Sequence, residues 1–124
     1  MASRSVLQIF NQTRDRLLAN QGELARSFWA RGRGLMGRAT LPQGFALVIY
    51  PGSSIHTFFM RLPIDVLFVD REHRVVGLRE AMPPGRPAAG VAPWRGRYVI
   101  EMPAGVIAAT GTQLGDQLIV TPTL

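Results

Sequence analysis

The run Ile64-Asp65-Val66-Leu67-Phe68-Val69 restricts this chain more than any other stretch. Side chains alternate along a strand, so Ile64, Val66 and Phe68 share one face while Asp65, Leu67 and Val69 share the other. Both faces are apolar except at Asp65, which is the pattern of a strand covered on two sides. Each buried Val, Leu or Phe contributes roughly 1.5–3 kcal/mol. An aspartate at that position costs stability unless it is hydrogen-bonded, paired or protonated. Just upstream, Ile55-His56-Thr57-Phe58-Phe59-Met60 reads as a second strand, joined through Arg61-Leu62-Pro63. In a hairpin, a two-residue loop at Arg61-Leu62 puts Asp65 on the His56 face, and a three-residue loop puts it on the Thr57 face.

Further strands are expected at Val6–Asn11, Phe45–Tyr50, Val75–Leu78, Tyr98–Met102 and Gln117–Thr121, separated by turn-forming residues. Arg16–Ala19 reads as the return strand of an N-terminal hairpin, with a helix from Asp15 as the competitor. Ser27 is the expected N-cap of a helix over Phe28–Met36, ended by Gly37. Ala104–Thr110 reads as a second short helix, stopped by Gly111. Residues 81–96 are rich in Pro and Gly and read as a long loop, a feature that is often functional in a small domain. The short connections predict consecutive antiparallel strands. The whole predicts a mainly β fold with short helices, a compact antiparallel β-sandwich or barrel, in a single domain spanning 1–124.

Composition narrows the chemistry. Of 124 residues, 47% are hydrophobic and 18% charged, which indicates a globular chain with one core. No run is long enough to span a membrane, and Met1–Phe10 has no continuous apolar segment, so a cytoplasmic location is expected. The absence of Cys excludes disulfides, thiolate metal sites and Cys nucleophiles. Two His without Cys do not supply a zinc ligand set, so neither metal nor cofactor is expected. All 14 basic residues are Arg, at a formal net charge of +6. That excludes catalysis by a Lys amine or Schiff base. Arg26, Arg31, Arg33 and Arg38 cluster as a candidate anion patch, with a solvated face holding structural ion pairs as the simpler reading. Neither a phosphate-cradling Gly loop nor a Ser-centred nucleophile elbow is present.

The candidate polar site is His56, Thr57, Asp65 and Glu101. His56 suits a general base, a ligand or a satisfied core histidine. Thr57 acts as a nucleophile only beside a base, and otherwise bonds locally. Asp65 is either a catalytic acid or a structural group that pairs with Arg38 or Arg61, or bonds backbone N–H groups. Glu101 stands as a second carboxylate, an edge residue or an Arg partner. Phe58, Met60 and Trp94 are candidate linings of a cleft under the Pro-rich loop, with loop anchoring as the simpler role for Trp94. His73 and Asp116 read as turn residues.

Several segments form an ordered set: Arg33-Gly34-Leu35-Met36-Gly37-Arg38, Ile55–Met60 with Pro63–Asp70, Tyr98–Gly105, and Leu114-Gly115-Asp116. In order and spacing this set resembles the domain of unknown function 192 family, from about Leu7 to Val120. The resemblance implies a small jelly-roll-like β-sandwich or barrel and carries no established activity. Relatives often have a Cys near Gly52, and this chain has none. Three functional readings follow. One is a non-enzymatic binding or accessory module, with a small molecule or peptide in a cleft near His56 and Asp65. The second is a hydrolase-like enzyme using His56, Asp65 and Glu101. The third is nucleic-acid or anion binding through the Arg cluster. A monomer and a homodimer both fit these readings.

Overall fold

The computed structural model describes residues 6–26, 37–58 and 60–124. Within them the strands are β1 (Leu7–Asn11), β2 (Arg16–Ala25), β3 (Phe45–Ile49), β4 (Ser54–Ile55), β5 (Ile64–Val69), β6 (Val75–Met82), β7 (Ala89–Gly90), β8 (Tyr98–Pro103) and β9 (Leu118–Thr121). A short helix, α1, covers Val106–Thr110. Seven strands form one sheet in the order β6-β5-β8-β3-β2-β1-β9, and β4 pairs with β7 in a separate two-stranded ribbon. The mainly β expectation holds. The expected N-terminal hairpin also forms, closing at Asn11 opposite Arg16, with β2 running on to Ala25.

The two-sided apolar pattern of β5 has the predicted consequence: all six of its residues are buried. Both of its edges are occupied, one by β6 and the other by β8. That occupancy overturns the expected hairpin between Ile55–Met60 and β5. With no edge of β5 left, the upstream run pairs as a strand, among the described residues, at Ser54 and Ile55 with Gly90 and Ala89 of β7. It then leaves extended structure. Gly90 permits this approach, since a Cβ there would lie 2.6 Å from the Ser53 carbonyl oxygen.

Two further corrections concern order and direction. The strands are not a simple meander, because β3 pairs antiparallel with the distant β8 and parallel with β2. A parallel pair needs a long crossover, here residues 26–44. The expected helix at Phe28–Met36, with Arg31 and Arg33, lies outside the described residues.

The sheet curls into a half-barrel. At one corner its two edges meet, where Arg74 bridges Gln117 and the Val75 N–H donates to the Asp116 carbonyl at 3.0 Å. The inside of the curl receives side chains from every strand of the large sheet and from α1, among them Ile9, Leu18, Val48, Leu67, Val75, Ile100, Ile107 and Leu118. A second apolar cluster lies on the other face of β3, β5 and β8, built from Phe45, Leu47, Ile64, Val66, Phe68 and Val99 with Met60, Met82 and Ala89.

Asp116 ties the corner together. Its carboxylate accepts from Asn11 Nδ2 at 2.9 Å, Arg14 Nε at 2.9 Å, Arg14 Nη2 at 3.1 Å and the Gln113 N–H at 2.9 Å. Burial opposes ionisation of Asp116, but the bonds from Arg14, Asn11 and Gln113 outweigh it and hold the carboxyl below its ordinary value. The residue read as a simple turn former therefore clamps the β1–β2 hairpin to the approach of β9.

Candidate ligand pocket

The structure separates the residues singled out in the sequence. Asp65 is fully buried at the start of β5. Its Oδ1 accepts the Ala81 N–H at 2.8 Å, and its Oδ2 accepts those of Gly105 at 3.1 Å and Ile107 at 2.8 Å. Two of these donors lie at the start of α1, at its N-cap Gly105 and at Ile107 in its first turn, where N–H groups have no partner within the helix. The third arises from a local break in pairing. Register shifts between Ile64 and Val66 opposite β6, where Ala81 takes φ 47° and turns its N–H to the carboxylate. Of the roles open to Asp65, the structure shows backbone bonding, and neither Arg38 nor Arg61 pairs with it.

Glu101 lies on the opposite face of the sheet. It stands between Leu47 of β3 and Val66 of β5, whereas Asp65 stands across from Met102. Glu101 is buried, and its Oε1 has no hydrogen-bond partner among the described residues. Burial pushes its carboxyl up to about 7. This corrects both simple readings of Glu101, the solvent-facing edge residue and the Arg partner.

His56 is exposed beyond β4, its ring centroid 5.4 Å from that of Phe58. Thr57 is buried, and its hydroxyl is used twice, donating to the Pro83 carbonyl at 2.8 Å and accepting the Arg86 N–H at 2.7 Å. The geometry thus does not assemble His56, Asp65 and Glu101. Nor does it join Phe58, Met60 and Trp94 in one lining: Phe58 is exposed, Met60 is buried in the second core cluster, and Trp94 is 86% exposed. At that exposure Trp94 does not pin its loop, and among the described residues it borders neither of the two cavities described below. A cleft of about 460 Å³ does adjoin the Pro-rich loop, lined by Arg79, Glu80, Met82, Pro83, Arg86 and Pro87 with Ala88 and Ala89. None of the expected lining residues borders it. Of the Arg cluster, Arg38 sits 5.0 Å over the Phe45 ring and 3.9 Å from Glu23, and Arg26 sits 5.2 Å over the Tyr50 ring. Both described members are thus engaged with side chains of the fold.

A different constellation forms at the other end of the sheet from Asp65. Here β3 and β5 finish and β8 begins, which brings Tyr50, the β5–β6 turn, Arg97 and Tyr98 together. They line a pocket of about 310 Å³ with Arg71, His73 and Leu124. Its walls are braced. The Arg97 N–H donates to the Val69 carbonyl at 2.7 Å, and the Arg97 carbonyl accepts the Gly52 N–H at 2.9 Å. In the β5–β6 turn, Asp70 Oδ1 accepts the N–H groups of Glu72 at 3.0 Å and Arg74 at 2.9 Å. That turn holds His73 at φ 63°.

The side chains are organised as well. The His73 Nδ1 and the Tyr98 hydroxyl lie 2.7 Å apart, and Arg97 Nε donates to the Tyr50 hydroxyl at 3.1 Å. The Arg97 guanidinium also rests 4.8 Å from the Tyr50 ring centre. The two tyrosine rings are tilted with centroids 6.0 Å apart. Burial raises the Tyr98 hydroxyl well above its ordinary value, with smaller contributions from Asp70 and Tyr50, so it stays protonated at neutral pH. Sequence reasoning missed this group because its members are far apart in the chain and His73 looked like a surface turn residue. The available signal was that the only two tyrosines each border a strand end.

Fold and pocket together define a small half-barrel β protein with a basic, tyrosine-walled cavity at one end of its sheet. The chain belongs to the domain of unknown function 192 family, whose model, described as Uncharacterized ACR, matches residues 9–120. A UPF0127 protein of Thermococcus sibiricus is 37% identical over 117 residues, covering 89% of this chain and 72% of the relative. Among solved structures, a protein of unknown function from Novosphingobium aromaticivorans matches with a TM-score of 0.79 at 20% identity, covering 95% of this chain and 93% of the other. A second, from Sinorhizobium meliloti, also reaches 0.79, at 22% identity and 97% coverage of each chain. At these identities the structural likeness establishes the fold. Among the described residues, no helix is long and apolar enough to cross a membrane.

Proposed function

We propose that this protein is a small-ligand-binding module whose ligand enters the cavity walled by Tyr50 and Tyr98. The observation that carries this reading is a cavity of about 310 Å³ whose polar groups are already positioned by the fold. That volume lies at the lower end of the range of small-molecule sites, about 300–1,000 Å³. Arg97 and His73 are each held by a tyrosine hydroxyl, and their backbones are anchored to the ends of strands. Such preorganisation lowers the ordering cost of binding. The cleft beside the Pro-rich loop is larger, but most of its lining residues are exposed, and no side-chain hydrogen bond joins one lining residue to another there.

A fragment library screened by thermal shift, with hits mapped by NMR chemical-shift perturbation, tests the proposal. Hits should perturb Tyr50, His73, Arg97 and Tyr98. Hits that map instead to Arg79, Pro83 and Arg86 would move the site to the loop cleft and overturn this assignment.

A further inference from the structure

Building on the pocket reading, we infer that the ligand is a compact organic oxyanion, a phosphate monoester or carboxylate, whose charged group is held by Arg97, Arg71 and His73. Two guanidinium groups and an imidazole line one cavity, and no Asp or Glu side chain lines it. Arg97 commits only its Nε to Tyr50, which leaves both terminal amino groups without a protein hydrogen-bond partner among the described residues. Arg71 has no ion pair or hydrogen bond among them either. His73 uses Nδ1 for Tyr98 and keeps Nε2 unpartnered by the protein. The acids nearest in sequence, Asp70 and Glu72, do not line the cavity, and one carboxylate oxygen of Asp70 is committed to its own turn.

This contrasts with the other described arginines that meet acids. Arg14 is matched to Asp116 in a two-pronged pair, and Arg38 approaches Glu23. A planar guanidinium presents a fork that suits carboxylate and phosphate oxygens, and Arg97 is held by its Nε bond and ring contact to Tyr50 with both terminal amino groups unused. The pocket exceeds what a lone inorganic anion needs, and Tyr98 and Leu124 offer carbon surface for an organic remainder.

The test is isothermal titration calorimetry on the full chain with phenyl phosphate, benzoate and the neutral, similarly sized benzyl alcohol. The expected result is that at least one anion binds about tenfold or more tightly than benzyl alcohol, since hydrogen bonds to charged groups are the stronger ones. Whichever of phenyl phosphate and benzoate binds better identifies phosphate or carboxylate as the preferred group. Arg97→Ala should weaken that anion about tenfold or more, Arg97→Lys should restore only part of the loss, and His73→Gln and Arg71→Ala should each weaken it. Melting curves of the variants confirm that they fold. Equal binding of all three compounds, mapped to Tyr50 and Tyr98 and unchanged by Arg97→Ala, would overturn the anion inference and leave the pocket reading standing. Shifts confined to residues outside the pocket would overturn both.

Discussion

Asp65 keeps its carboxylate inside a sheet because three backbone N–H groups converge on it. Removing the side chain orphans all three donors at once. Asp65→Ala should therefore destabilise the protein by about 3–5 kcal/mol, measured by denaturant unfolding. Glu101 is the opposite case, a buried carboxyl with an oxygen that finds no partner. With its carboxyl raised to about 7 by burial, the folded state holds this proton more tightly than the unfolded chain does. Its effect on stability is therefore absent below the unfolded value, grows unfavourable as pH rises from there to about 7, and is constant above. Glu101→Gln should flatten that decline and, at pH 8, stabilise the protein by up to about 3 kcal/mol relative to the parent. Unfolding curves at pH 5 and pH 8 check this, and an unchanged difference between the two would contradict it.

The Pro-rich loop shows how an element without regular structure is held. Thr57 is its anchor. Its hydroxyl binds Pro83 and Arg86, its N–H donates to the Arg86 carbonyl at 2.9 Å, and its carbonyl accepts the Gly85 N–H at 2.8 Å. Thr57→Val keeps the shape but leaves the Pro83 carbonyl and Arg86 N–H without the hydroxyl. The expected cost is about 1–3 kcal/mol, with faster hydrogen exchange at Gly85 and Arg86 as the local readout. Trp94, in contrast, lies almost wholly in solvent. Trp94→Ala should change stability by no more than about 0.5 kcal/mol in a melting experiment. In α1, both ends are glycines in left-handed conformation, Gly105 at φ 104° and Gly111 at φ 68°. The stop at Gly111 was readable in sequence. The start was not, because the carboxylate that receives the first-turn N–H groups comes from β5, 40 residues earlier in the chain at the Gly105 bond.

Across the whole molecule, two of the buried acids, Asp116 and Glu101, pull stability in opposite directions with pH. Asp116, held below its ordinary value, stabilises the fold above its unfolded value, and that contribution is lost as pH falls through the folded one. Glu101 lowers stability as pH rises toward about 7. Between them these acids favour mildly acidic conditions, and the stability maximum should fall at about pH 4–5. A series of melting temperatures from pH 3 to pH 9 locates it. In the double variant Asp116→Asn, Glu101→Gln both flanks should flatten. Much of the architecture was legible in one dimension, because alternation and turn chemistry are local. β5 as a doubly covered strand, the N-terminal hairpin, the short helix before Gly111 and the mainly β class all follow from neighbouring residues. The pairing of β3 with β8, the parallel pair β2–β3 and the partners of β5 were not, because any apolar strand satisfies another's hydrogen bonds and only the closed sheet selects among them. The same reason hid the pocket. Residues 50, 73, 97 and 98 have no relation in sequence beyond the last two, and only the meeting of three strand ends places two tyrosines, an imidazole and an unpaired guanidinium around one cavity.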